Sequence, residues 1–280
     1  MRLATLRTSH GTRAARLEGE EYVLLDYSDV GALLASGSGW REAAGLDGDR
    51  LPAAGADLAT PIPNPEKIFC IGLNYRAHAE EAGLDLPDHP AVFSKYNRAL
   101  IGPEDPISLP PESRLVDWEA ELAIVIGAVG RRLDEADALN AVAGYTVAND
   151  VSMRDWQRRT GQWLQGKTFE GATPVGPVLV TADEVGDPSA LTIHCALDGE
   201  TMQEADTSDL IFGPAAIVSY LSSFITLSPG DLIMTGTPSG IGSTRKPPRF
   251  IEAGNVLATT IAGIGELRNE AIPERTEAAA

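Results

Sequence analysis

Between positions 117 and 126 the chain reads Asp-Trp-Glu-Ala-Glu and then runs into Leu-Ala-Ile-Val-Ile. The β-branched and aliphatic residues predict a strand. Side chains alternate across a strand, so Glu119 and Glu121 are expected on one face. Two anions held together repel unless something positive lies between them. Either that face is solvated, or the fold brings a cation to it. A second apolar run, Gly144–Asp150, ends in a carboxylate that could join the pair. Three carboxylates make an all-oxygen donor set, which suits Mg²⁺ or Mn²⁺ with water or substrate completing the shell.

An acidic chain that acts on a small anionic substrate must gather positive charge locally, through a metal and a few Lys or Arg residues. With 40 acidic and 22 basic residues the net charge is −18, which argues against nucleic-acid or anionic-membrane partners. No apolar run is long enough for a membrane helix, and the N-terminus lacks a signal-peptide core, so a cytoplasmic location is expected. Cys70 and Cys195 lie in apolar surroundings and read as buried thiols.

Residues 1–60 read as a small unit: a hairpin of Arg2–Thr8 with Tyr22–Asp26, and a short helix at Asp29–Ala35. The Ala-, Gly- and Pro-rich stretch Leu51–Pro65 reads as a linker to a second unit, 61–280. That unit opens with a strand at Lys67–Gly72. Many short strands with Gly/Pro turns and few helices follow, implying a largely β, α+β body.

Several further residues carry chemistry. His78 and Glu81 stand three apart in a short helical pattern ending at Gly83, which places them on one face. A carboxylate beside an imidazole orients it and raises its basicity, as a general base requires. So short a helix between loops suits a mobile lid. Lys167 follows a glycine that would let the backbone approach a ligand. Arg154 and Gln157 follow Asp150 and share a face if that stretch is helical. The Gly- and hydroxyl-rich loop Thr235–Gly242 offers hydroxyls and backbone N–H groups, at Thr237 and Gly236 among others, to a carboxylate. It has no Gly-Lys-Ser/Thr and is no nucleotide loop.

The segments KIFCIGLNYRAHAEEAG (67–83), LIGPEDPISLP (100–110), VDWEAELAIVIG (116–127), GYTVANDVSMRDWQ (144–157), QWLQGKTFEGATPVGP (162–177) and LSPGDLIMTGTPSGIG (227–242) resemble the fumarylacetoacetate hydrolase family in its short bacterial form. The resemblance implies a mixed β-roll of layered sheets, usually a homodimer. It implies metal ligands at Glu119, Glu121 and Asp150 and a His–Glu dyad on a closing lid at His78 and Glu81. It also implies an active-site lysine at Lys167, substrate contacts at Arg154 and Gln157, and a carboxylate-binding threonine at Thr237. Ala172 and Asn255 depart from the family pattern, away from these positions. The expected activity is Mg²⁺- or Mn²⁺-dependent hydrolysis of a carbon–carbon bond in a 2,4-dioxo acid, giving pyruvate and a carboxylic acid. Candidate substrates are an acylpyruvate, fumarylpyruvate and a 2,4-diketo-3-deoxy sugar acid. Oxaloacetate decarboxylation and tautomerisation of a dioxo or hydroxydienoic acid use the same site and stand as the alternative. A metal-binding protein without turnover is the remaining one.

Overall fold

The computed structural model describes residues 1–274. A 12-stranded mixed sheet forms its spine. From one edge it runs Arg50–Pro52, Glu21–Leu24, Gly11–Glu18, Arg2–Thr8, Thr173–Thr181, Val142–Asn149, Ala120–Ile126, Leu232–Met234, Ile68–Gly72 and Ala91–Ser94. Two short strands, Leu58–Ala59 and Leu100–Ile101, attach beside this path. A five-stranded sheet, including Thr192–Leu197 and Val256–Ile261, packs against the spine.

The Glu-bearing strand lies inside, with Ala120–Ile126 buried throughout. Its alternation divides the molecule. Leu122, Ile124 and Ile126 join the core shared with Ile193, Leu197 and Ile261 of the smaller sheet. Ala123 and Val125 point the other way, into a core with Leu3, Leu33, Leu34, Cys70 and Met234. Glu121 has the parity of Ala123, so the carboxylates lie on the face whose other end is covered by the N-terminal residues. The predicted strand is interrupted: Val116–Asp117 pairs with Ser152–Met153, and the spine strand begins only at Ala120. At the break the side-chain oxygen of Asn149 accepts from Glu119 N, and the Glu119 carbonyl accepts from Asp150 N at 2.8 Å. That exchange sets Glu119 beside Asp150.

Residues 1–60 join the body edge to edge, through antiparallel pairing of Arg2 with Val180 and Leu3 with Leu179. The hairpin expected between Arg2–Thr8 and Tyr22–Asp26 does not form. Gly11–Glu18 lies between them and pairs with both Arg2–Thr8 and Glu21–Leu24. Gly11, at φ 106°, makes the turn that brings this middle strand back. The helix Val30–Ala35 forms as expected, capped by the Asp29 carboxylate on Ala32 N at 2.8 Å. The stretch expected as a linker is laid along the sheet instead. It takes in the last two residues of the strand Arg50–Pro52 and all of Leu58–Ala59, and its Pro61 carbonyl accepts from Thr5 Oγ1. Cys70 and Cys195 are buried and free. Among the described residues no helix is long and apolar enough to cross a membrane.

A candidate metal centre and its cavity

Glu119, Glu121 and Asp150 converge, each buried, with one carboxylate oxygen apiece lying within 4.8 Å of the others. Their neighbours are unequal. Lys167 Nζ donates to Glu119 Oε2 at 2.7 Å and to Asp150 Oδ2 at 2.8 Å. Lys95 Nζ pairs with Asp150 Oδ1. Arg154 Nη1 reaches Glu119 Oε1 at 2.6 Å, and its Nε reaches Asp117 Oδ2 at 2.8 Å. Glu121 has no cationic partner among the described residues and accepts only the Gly236 N–H, at 2.7 Å.

The electrostatics follow from this pairing. Burial raises the Glu119 carboxyl, but Lys167 and Arg154 outweigh it and hold the group below the usual range. At Glu121 burial and the anions of Asp150 and Glu119 act together, and the carboxyl rises well above the usual range. Burial opposes the charge on Lys167, while Asp150 and Glu119 more than restore it and push the lysine above its ordinary range. Four carboxyl groups (Asp117, Glu119, Glu121, Asp150) face three cations (Lys95, Arg154, Lys167), and Glu121 is the one left without a cation, an acid that an incoming metal ion could ionise. A hard divalent cation fits this set in donor type and in charge.

The dyad sits on the helix Arg76–Ala82, which ends at the left-handed Gly83 as the sequence predicts. His78 Nδ1 lies 3.2 Å from Glu81 Oε2, and Glu81 Oε1 accepts from Gly240 N at 3.0 Å. Burial works against the Glu81 charge, but the bonds from His78, Gly240 and Thr244 win and hold its carboxyl below the ordinary range. With Nδ1 turned to Glu81, Nε2 is the nitrogen left for chemistry. His78, Glu119, Arg154, Gln157, Lys167 and Thr237 all line one cavity of about 550 Å³. Gln203 donates to Thr237 Oγ1, so the threonine proton is free for a ligand. Gln157 spends its carbonyl on Arg154 and keeps its NH₂.

Two sequence-based readings change. Gly236, expected to offer its N–H to substrate, gives it to Glu121, so it positions a carboxyl of the acidic triad. Gly166, expected to let a ligand approach, is packed on the chain: a Cβ there would meet Gln157 N at 2.4 Å. Three contributors were not foreseen. Lys95 follows the strand Ala91–Ser94 and is 3% exposed. Asp117 collects Trp118 N, Gly242 N, Ser243 N and Arg154 Nε. Trp163 packs edge-on against Phe93 at 5.5 Å and covers Gly72.

Residues 67–272 match the family model described as fumarylacetoacetate (FAA) hydrolase C-terminal. The chain belongs to the fumarylacetoacetate hydrolase family, and its layered α+β architecture is that of the solved members. It is 46% identical over 224 residues to the mitochondrial oxaloacetate tautomerase fahd2 of Xenopus laevis, covering 79% of this chain and 70% of that one. The structure is similar to 5-carboxymethyl-2-hydroxymuconate delta-isomerase from Mycobacterium smegmatis, at TM-score 0.81 and 36% identity over 98% of this chain and 99% of that one. It is equally similar to maleylpyruvate hydrolase from Sphingobium sp. SYK-6 in complex with manganese(II) and pyruvate, at TM-score 0.81 and 31% identity over 98% of this chain and 100% of that one.

Proposed function

We propose that the chain is a divalent-metal-dependent enzyme of 2-oxo acids whose first reaction is keto–enol interconversion of oxaloacetate. The observation that carries the reading is the placing of the His78–Glu81 dyad and the acidic triad's Glu119 on one cavity. The 46% identity to a tautomerase supports it, and so ranks this alternative above the hydrolysis expected from sequence.

A bound Mg²⁺ or Mn²⁺ would supply Lewis acidity to the C1 carboxylate and C2 oxygen of a 2-oxo acid. The chain's own residues do the rest. His78 Nε2 takes the proton from C3 and returns it to the C2 oxygen in the enol direction, and the reverse in ketonisation. Glu81 holds the imidazole in the tautomer that allows this. Lys167 adds fixed positive charge where the oxygen gains electron density. Thr237 and Gln157 orient the carboxylate end.

Hydrolysis of an acylpyruvate is the second reading, favoured by the manganese- and pyruvate-bound hydrolase of the same fold. There the dyad would take its proton from water. The test is to strip the protein of metal, restore Mg²⁺ or Mn²⁺, and supply enol-oxaloacetate, acetylpyruvate and fumarylpyruvate. Decay of the enol absorbance is followed, and products are identified by mass spectrometry. Chelator-sensitive ketonisation that is lost in His78→Ala supports the first reading. Metal-dependent release of pyruvate plus a carboxylic acid supports the second. Turnover of none of the three overturns both.

A further inference from the structure

On the Arg154 side of the cavity, two donors have no partner among the described residues. A guanidinium carries five N–H groups. Arg154 spends Nε on Asp117 and Nη1 on Glu119 and Gln157, while Nη2 is buried with no partner. The Ser243 hydroxyl is likewise buried and, among the described residues, unpartnered. The two are held together, because Arg154 Nε and Ser243 N both donate to the same oxygen, Asp117 Oδ2, at 2.8 and 3.0 Å. Arg154 and Ser243 both line the cavity, and so does Arg158, one turn further on. The exposed Arg158 side chain makes no ion pair or hydrogen bond among the described residues.

Buried donors without acceptors cost folding free energy unless a ligand takes them. A planar fork edge beside a hydroxyl, with no acceptor opposite, matches the two oxygens of a carboxylate. Nη1 of the same guanidinium is already bonded to Glu119, so an anion on Nη2 adjoins the ion floor without lying on it. We propose that Arg154 Nη2 and Ser243 Oγ, with Arg158 at the rim, form a subsite for the second carboxylate of a dicarboxylic 2-oxo acid. The inference rests on the reading that the acidic floor serves the C1 end. It makes Ser243 a specificity-determining residue: a monocarboxylic acid leaves the donor pair empty, and a dicarboxylic acid fills it.

The test is calorimetric titration of the Mg²⁺-loaded protein with pyruvate and with 3,3-difluorooxaloacetate, which has both carboxylates and no C3 proton to lose. Ser243→Ala should weaken the dicarboxylate about tenfold, as expected for a lost bond to a charged group, and leave pyruvate within about twofold. Ser243→Thr, which keeps the hydroxyl, should retain the preference. Arg158→Gln should weaken the dicarboxylate about threefold and flatten its dependence on salt. Equal losses on both ligands, no loss on either, or no preference in the parent protein would overturn the subsite. A dicarboxylate preference that follows Ser243, in a protein that does not ketonise oxaloacetate, would sustain the subsite and reject the tautomerase reading.

Discussion

Replacing Asp117 by asparagine tests the electrostatic frame of the site without touching the acidic triad. Each oxygen of Asp117 accepts two bonds: Oδ1 from Trp118 N at 2.9 Å and Gly242 N at 2.6 Å, Oδ2 from Arg154 Nε at 2.8 Å and Ser243 N at 3.0 Å. An amide has one oxygen, so either orientation aims an NH₂ at two donors. Two bonds to a charged acceptor are lost, each of about 1.5–3 kcal/mol. Arg154 also loses one of its two buried anions, a change of about 3–5 kcal/mol. These describe the same loss, so about 4 kcal/mol is the expected destabilisation. Unfolding entropy near 2.1 cal/mol/K per residue, taken over 280 residues, converts this to a fall in Tm of about 7 °C. The assay is thermal unfolding of the chelated protein by circular dichroism. Asp26→Asn is the control: its pair with Arg13 spans 3.3 Å and the Asp26 side chain is fully exposed, so its shift should stay within about 1 °C. A shift under about 2 °C for Asp117→Asn would refute the four-donor argument.

The raised Glu121 carboxyl means that the folded chain holds that proton more tightly than the unfolded chain does. Ionising it therefore lowers stability as pH rises above the ordinary carboxylate range. Metal-free Glu121→Gln should unfold no lower than the parent at pH 7, yet lose the gain of about 4–5 °C that Mn²⁺ at a hundred times its Kd gives the parent. Glu81 has the opposite sign. Its lowered value stabilises above the unfolded pKa, and that contribution disappears as pH falls through the folded one. Profiles of Tm against pH for the parent and Glu81→Gln should thus converge in acid and separate toward neutrality; parallel profiles would reject the pairing. Gly166→Ala places a Cβ 2.4 Å from Gln157 N; it should cost about 1–3 kcal/mol by overpacking, and displacement of Lys167 should lower kcat at least tenfold in steady-state assays.

What the sequence reveals and what it hides divide along physical lines. Glu119 with Glu121, and His78 with Glu81, are legible because the two-residue period of a strand and the three-residue spacing of a helix turn sequence into a shared face. Lys95 has no such period: it reaches Asp150 from 55 positions away, and only the fold makes that neighbourhood. Asp117 reads as one more strand residue until the break at Trp118–Glu119 frees it to gather donors from a loop some 125 positions later. Gly11–Glu18 is missed because its Arg, Ala and Thr residues give no clear alternation. Gly265–Pro273 alternates buried positions with charged ones, a weaker signal than an apolar run.

The cation pairs around the ion floor join parts of the chain 17, 48 and 55 positions apart. No local fragment contains them all, so none can reproduce the charge balance of the finished site. An ion probe aimed at the triad would therefore gauge assembly. A luminescent lanthanide offered during refolding should light only once the hairpin of Ala120–Ile126 with Val142–Asn149 has closed and set Glu119 and Glu121 beside Asp150. Its kinetics would time the last long-range docking, where backbone probes report the earlier formation of strands.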